Sequence, residues 1–209
     1  MTVIQALEQH PRLVVVGGPG TGKSTLSRYL VQGLAEGTSD WNPYLPILVS
    51  LHGLAEREGD LTTRLREQVQ AELGTRLLAS LPQNFLTDWT GQTKMPWLIA
   101  LDGLDEIVDA NRHRLLIREL KRAAWPTGSH VLITTRPNTS THLDGFTTFD
   151  LLPFEREQVE EFAHNWFKPD EARARAFLDG LRGARMADLS ATLLLLTVGQ
   201  PPCLSNPRT

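Results

Sequence analysis

A glycine-rich stretch near the start of the chain carries residue types that can hold a polyphosphate. Its spacing fits G-x-x-x-x-G-K-[ST], with Gly17 first, Gly22 and Lys23 next, and Ser24 last. Glycines let backbone N–H groups turn toward an anion without clashes from Cβ atoms. In this pattern the lysine reaches the β- and γ-phosphates and the hydroxyl binds Mg²⁺. The predicted nucleotide-binding residues are Gly17, Gly18, Pro19, Gly20, Thr21, Gly22, Lys23, Ser24 and Thr25.

A second group of candidate residues is acidic and follows the apolar run 97–101. Asp102 directly follows this run, and Asp105 and Glu106 come shortly after it. A phosphate-binding loop needs a carboxylate at a neighbouring strand end to hold Mg²⁺ through its water shell. We therefore predict that Ser24 and Asp102 hold Mg²⁺, that Glu106 activates water, and that Asp105 supports the cation or the water. The alternative for Glu106 is an acid favoured at a helix start by the helix dipole.

Arg136 is the third candidate for chemistry, because it ends the apolar run 131–135. The carboxyl ends of parallel strands meet at one edge of a sheet, where ligands bind. Arg136 would then project beside the acidic group and contact the γ-phosphate, so we count it with the two catalytic acids. The alternative is an arginine that satisfies carbonyl groups at a strand end. Thr134 and Thr135 are interpreted as ordinary strand residues.

The elements that position these residues alternate between apolar runs and helical patterns. This alternation predicts an α/β fold with a mostly parallel five-stranded sheet, and together with the glycine-rich motif it predicts a three-layer P-loop NTPase sandwich. The predicted strands are 13–16, 47–51, 97–101, 131–135 and 147–152. The predicted helices are 24–33, one that Asp60 caps and that runs through Leu61, Leu65, Val69, Leu73 and Leu77, then 85–90 and 112–124.

The hydrophobic pattern of the sequence changes after Pro153, where helical periodicity replaces strand-like runs. We predict a P-loop NTPase domain over 1–152, a small partial helical subdomain over 153–200 and an irregular tail over 201–209. The helical stripes are Val159, Phe162, Ala163 and Trp166, then Ala172, Ala176 and Phe177, and finally 187–198.

Composition and charge argue against several classes of protein. The net charge is −3 with interspersed signs, which gives no electrostatic signature of nucleic-acid or anionic-membrane binding. Cys203 is the single cysteine, so no internal disulfide forms and we expect a cytoplasmic protein. The six histidines lack metal-ligand spacing. The first ten residues do not fit a signal peptide, and the longest apolar run, 193–198, is too short to cross a bilayer.

Taken together, these motifs resemble those of the NACHT group of STAND signalling NTPases, in a bacterial-type form. The resemblance rests on 16–26, on 101–106 with its D-G-h-D-E form, and on 133–137. A further segment is similar to the family's entry into its helical subdomain: Leu152, Pro153, Phe154, Val159, Phe162, Asn165, Trp166 and Phe167.

This resemblance implies a nucleotide-controlled switch. ATP, or GTP, would bind with Mg²⁺ between the sheet domain and the helical piece. The triphosphate state would self-associate and bring effector domains of the parent protein together, and slow hydrolysis would reset it. Sensor domains would supply the signal.

The chain departs from the family pattern in two respects. The family's Asn-Pro before a leucine run is absent at 190–195, which leaves base contact there without its usual residue. The winged-helix domain, an effector and a sensor repeat are not recognisable. Because only sixteen residues precede the phosphate loop, we expect a fragment or a truncated product.

Two other functions remain open from the residues alone. The glycine-rich motif also opens many small-molecule kinases, although those do not need the second acidic motif. A nucleotide-binding assembly module without useful turnover is the other alternative.

Overall fold

The fold is built on one parallel sheet. The computed structural model describes residues 1–38, 41, 44–77, 79–137, 143–152 and 156–183. The five strands run in the order β2-β3-β4-β1-β5, and every neighbouring pair is parallel. The strands are β1 (Arg12–Val16), β2 (Leu45–Ser50), β3 (Trp97–Asp102), β4 (His130–Thr135) and β5 (Thr147–Asp150).

Helices connect the strands and cover both faces of the sheet. They are α1 (Val3–Gln9), α2 (Lys23–Ala35), α3 (Leu51–Ala55), α4 (Leu61–Leu73), α5 (Phe85–Thr93), α6 (Ala110–Arg122), α7 (Arg156–Trp166) and α8 (Glu171–Gly183). Asp60 caps α4 as predicted, since its side chain accepts a hydrogen bond from the N–H of Thr63 at 2.8 Å. Gly74 follows the last residue of α4.

The alternation of side chains along β1 divides the core into two layers. Val14 packs with Ile99 and Ile133 on one face, together with residues of α3, α4 and α6. Leu13 and Val15 pack on the other face with residues of α1 and α2. Each strand side chain points to the face opposite its neighbour, so a run that is buried throughout requires cover on both faces. The predicted three-layer α/β sandwich is confirmed.

Two short helices were missed by the sequence prediction. α1 starts with a capping box: Thr2 accepts from the N–H of Gln5, and the Gln5 side chain accepts from the N–H of Thr2. α3 begins at Leu51, which was predicted to end a strand. Ser50 ends that strand one residue earlier than predicted. Its side chain accepts from the N–H of Gly53 and so starts a helix at Leu51.

The helical part after the sheet is confirmed as two helices among the described residues. Val159 and Ala163 of α7 pack with Leu178 of α8 in a cluster of their own. Ala172 and Ala176 are exposed, contrary to the predicted stripe, and Ala174 is buried instead. The predictions that fall outside the described residues concern Pro153, Phe154, the side chains of Phe162 and Trp166, segment 187–198, tail 201–209 and Cys203.

The division into domains at 152 stays a prediction. None of the described helices is both long and apolar enough to cross a membrane.

Candidate functional site

Most of the candidate residues converge on one cavity at the carboxyl edge of the sheet. β1, β3 and β4 lie side by side, so the segments that follow them meet there. The cavity has a volume of about 220 Å³. Its walls are formed by Pro19, Gly20, Gly22, Lys23, Ser24, Thr25, Asp102, Gly103, Asp105, Glu106, Thr134 and Arg136. Gly103 and Thr134 were not among the predicted site residues.

The loop between β1 and α2 depends on its glycines for two different reasons. Gly20 and Gly22 have φ of 78° and 96°, in the left-handed region where side chains are strained. Gly17 needs space instead, because a Cβ there would overlap Oγ1 of Thr21 and lie 3.3 Å from Cβ of Leu151. The hydroxyl of Thr21 donates to the carbonyl of Gly18 at 2.9 Å. Thus Gly17, Gly18 and Thr21 shape the loop rather than line the cavity.

Helix α2 starts at Lys23, immediately after this loop. The N–H groups of its first turn have no partner inside the helix, and they carry the positive end of the helix dipole. Ser24 and Thr25 line the cavity from this turn. An anion in the cavity would therefore meet backbone donors as well as side chains.

Lys23 spans the loop with its ammonium group. Nζ donates to the carbonyl oxygens of Gly17 and Gly18, at 2.8 and 2.9 Å. Burial lowers the pKa of Lys23 from its usual 10.5, while the nearby carboxylate of Asp105 acts in the opposite direction. An anionic ligand would favour the charged form of this lysine and would compete with the two carbonyls for it.

Asp102 and Thr134 are joined across the ends of β3 and β4. The Thr134 hydroxyl donates to Oδ1 of Asp102 at 2.5 Å and accepts from the N–H of Gly103 at 2.9 Å. Thr134 is fully buried. The sequence interpretation as a plain strand residue was therefore incomplete. The available signal was a hydroxyl residue near the end of the strand that lies beside the one carrying Asp102.

Asp105 and Arg136 form the second connection between the same two segments. The backbone N–H of Arg136 donates to Oδ1 of Asp105, and its Nε lies 2.9 Å from Oδ2. The Asp105 side chain is 13% exposed and that of Arg136 is 55% exposed. Both oxygens of Asp105 thus face Arg136, an arrangement that sequence spacing did not indicate.

Glu106 lies on a short 3₁₀ turn that begins after Gly103. Gly103 has φ of 80°, and a Cβ there would lie only 2.8 Å from Cδ and Oε2 of Glu106. The carboxyl group of Glu106 therefore lies over the glycine, at the cavity wall. It accepts no hydrogen bond from the residues that the structure describes, so it is available to a water molecule.

Comparison with known proteins decides the family. The model of the NACHT domain matches residues 11–170, which include the loop, the acidic motif and Arg136. The chain belongs to the NACHT family of P-loop NTPases. As a member of this family it is a nucleotide-binding domain, and the resemblance inferred from the motifs is confirmed.

The family assignment rests on the NACHT domain match and not on matches to individual proteins. No curated protein matches the chain. Among solved structures, the chain is similar to one described as Drosophila ORC bound to DNA, with 17% identity and a TM-score of 0.49. The match covers 90% of this chain and 48% of the other, so the NACHT chain spans about half of that chain's length.

Mg²⁺ fits the oxygen atoms that this NACHT site presents. The Ser24 hydroxyl lines the cavity and has no hydrogen-bond partner among the described residues. Asp102 uses Oδ1 toward Thr134, which leaves Oδ2 for a metal-bound water. No group of three or more His, Cys, Asp or Glu in the described ranges could hold a metal ion alone. Ser24 and Asp102 would thus hold the ion together with phosphate oxygens and water, as Mg²⁺ sites commonly do.

Proposed function

We propose that this NACHT domain binds ATP or GTP with Mg²⁺ and hydrolyses it slowly, as the switch module of a larger signalling or defence protein in the cytoplasm. The observation that carries the proposal is the convergence of Lys23, Ser24 and Asp102 with Glu106 and Arg136 around one cavity. These side chains come from three segments far apart in sequence, and together they match the needs of a triphosphate, a cation and an attacking water.

The size of the cavity supports binding of the phosphate end of a nucleotide. A volume of about 220 Å³ is below the range of roughly 300–1,000 Å³ that holds a drug-sized ligand. The phosphates would occupy the loop, and the base would lie outside this cavity. Segment 190–195, where the resemblance would seek a base contact, lies outside the described residues.

The hydrogen-bond partners of the Lys23 and Arg136 side chains support the proposal of a switch. Lys23 donates to loop carbonyls, and Arg136 is paired with Asp105. A triphosphate would compete for both cations, and a diphosphate, which lacks the γ-phosphate, would compete less for Arg136. Exchange of partners is therefore the local event that would distinguish the two nucleotide states. We further propose that the triphosphate state promotes self-association and engages effector and sensor domains of the parent protein.

Catalysis in this proposal depends on three side chains. Glu106 would orient or deprotonate water, since its carboxylate lies at the cavity wall without a hydrogen-bond donor. Asp105 would act through Arg136, because both of its oxygens contact that residue. Arg136 would stabilise negative charge on the γ-phosphate.

The binding part is tested by calorimetric titration of the full chain with ATP and GTP in the presence of Mg²⁺. We expect binding by the wild type and a loss of about 100-fold or more in Lys23→Ala, because charge-assisted contacts to phosphate are strong. The exposed Lys168 supplies a matched control, and Lys168→Ala should bind as the wild type does. Equal affinity in Lys23→Ala and the wild type would contradict the proposed site.

The hydrolytic part is tested by phosphate release without any acceptor molecule. Release without an acceptor supports the NTPase switch, and release that requires an added acceptor supports a small-molecule kinase. Light scattering with ATP and with a non-hydrolysable analogue completes the test. Equal assembly with both nucleotides and no phosphate release would support a non-hydrolysing assembly module instead.

A further inference from the structure

The Thr134 hydroxyl has a fixed orientation that follows from its two partners. A threonine hydroxyl has one proton to donate and two lone pairs to accept with. The N–H of Gly103 can only donate, so the Thr134 oxygen is the acceptor of that bond. Its single proton is therefore directed to Oδ1 of Asp102. No rotation of the hydroxyl exchanges these roles.

This arrangement connects one hydroxyl to both halves of the acidic motif. The backbone pairing of β3 with β4 ends at Leu101 and Ile133, and the Thr134 side chain continues the connection one residue further. On the Asp102 side it holds the carboxylate that faces the cavity. On the Gly103 side it holds the first residue of the turn that carries Asp105 and Glu106.

We propose that Thr134 is a positioning residue for the Mg²⁺-binding carboxylate. Its hydrogen bond occupies Oδ1 of Asp102 and so presents Oδ2 to the water shell of the ion. Groups that orient a metal-binding carboxylate in this way commonly change metal affinity or activity by about 10- to 100-fold when removed. This inference rests on the proposed function, because it concerns the Mg²⁺ complex of the nucleotide in the same cavity.

The neighbouring Thr135 shows why this role belongs to one threonine alone. Both residues are fully buried in β4, and successive side chains of a strand point to opposite faces. Within the described part of the chain, the Thr135 hydroxyl donates to the carbonyl of Arg136, at 3.4 Å, and not to Asp102. Thr134→Val and Thr135→Val therefore make the same isosteric change at equal burial, and only the first removes a hydroxyl from Asp102.

The experiment measures how ATP affinity depends on Mg²⁺ concentration, by calorimetry on the full chain, with EDTA providing the metal-free reference. For Thr134→Val we expect a rise of about tenfold or more in the Mg²⁺ concentration that gives half of the full increase in ATP affinity. The affinity for metal-free ATP should be unchanged. Thr135→Val should match the wild type. Thr134→Ser should stay within about threefold of it, because serine keeps the hydroxyl and loses only the β-branch.

Two results would overturn the inference. One is an unchanged Mg²⁺ response in Thr134→Val. The other is an equal loss of ATP affinity with and without Mg²⁺, which would make Thr134 a purely structural residue. If Thr134→Val does not fold, the same experiment is done with Thr134→Ala, which also removes the hydroxyl. A wild-type chain that binds neither ATP nor GTP would refute the proposed function itself, and this is recognised before any variant is compared.

Discussion

Arg136 contacts Asp105 through two of its donors at once. Its backbone N–H lies 2.9 Å from Oδ1 and its side-chain Nε lies 2.9 Å from Oδ2 of the same carboxylate. The backbone bond fixes the segment after β4 against the turn after β3. The side-chain bond holds a cation that is 55% exposed and lies at the cavity wall. The backbone bond to Oδ1 can persist while the guanidinium group leaves Oδ2 for a phosphate, since the two bonds use different oxygens.

Arg136→Ala should therefore weaken triphosphate binding more than diphosphate binding. The variant keeps the backbone N–H that holds Asp105 and removes the side chain beyond Cβ, with its guanidinium group. We expect the ratio of ATP to ADP affinity to fall by about tenfold, in line with a charge-assisted contact to one phosphate. Calorimetry with both nucleotides measures this ratio.

The matched control for that prediction is Arg114→Ala. Arg114 is an arginine of α6 whose side chain donates to Asn111, outside the cavity. The ratio should not change in this variant. An equal loss of ATP and ADP affinity in Arg136→Ala would instead assign that side chain a structural role.

Glu106→Gln should retain nucleotide binding and slow hydrolysis by about 100-fold or more, the usual loss when a general base is removed. Glutamine keeps the size of the side chain over Gly103 but cannot accept a proton. Single-turnover phosphate release measures the rate and calorimetry measures the binding. The exposed Glu58 serves as the control, and Glu58→Gln should behave as the wild type. An unchanged rate in Glu106→Gln would place the base elsewhere, with Asp105 the first residue to test.

Gly103→Ala should destabilise the chain and displace Glu106. The φ of 80° costs a non-glycine residue about 1–2 kcal/mol, and the new Cβ would lie 2.8 Å from the Glu106 carboxyl carbon. Gly91→Ala makes the same chemical change inside α5, where no heavy atom lies within 4 Å of the new Cβ apart from the adjoining residues and the helix backbone. It should stabilise the chain by roughly 0.5–1 kcal/mol, since glycine is unfavourable in helix interiors.

Urea unfolding of both glycine variants measures these opposite effects on the free energy of unfolding. Phosphate release then reports whether the displaced carboxylate still serves catalysis. Similar stability in the two variants would contradict the backbone conformation described for Gly103.

The positions of the strands along the chain and the phosphate loop could be predicted because each follows from a local pattern. The β3 sequence is a short run of apolar residues that ends in an aspartate, a pattern typical of a parallel strand covered on both faces. The roles of Thr134 and Asp105 could not be predicted in the same way. Both depend on partners in or just after another strand, 31 or 32 residues away, and therefore on the register of β3 against β4. Threonine is also common in strands, so Thr134 carries no special signal by type.

The short helices show a second limit of local patterns. α3 has only five residues, too few for a helical period to appear against the apolar strand before it. Its start depends on the Ser50 cap. The binding roles of the loop residues stay a prediction from their spacing, and the contacts that Gly17 and Thr21 make within the loop are seen only in the three-dimensional structure.

Lys23 should give the stability of the nucleotide-free chain a measurable pH dependence. Burial lowers its pKa in the folded state below the usual 10.5. Between these two pKa values the unfolded chain binds more protons than the folded chain, so the free energy of unfolding rises with pH. Lys23→Met keeps an unbranched side chain and cannot titrate. The free energy of unfolding of the wild type minus that of Lys23→Met should therefore increase as pH rises toward 10.5.

Urea unfolding of both proteins at a series of pH values from neutral to 10.5 measures this difference. Groups that titrate equally in the two proteins cancel from it. Lys168→Met makes the same substitution at an exposed lysine outside the loop and is the matched control. A wild-type minus Lys23→Met difference that is flat with pH, or that falls as pH rises, would show that the folded chain does not disfavour the charged ammonium. The carbonyls of Gly17 and Gly18 would then compensate fully for its burial.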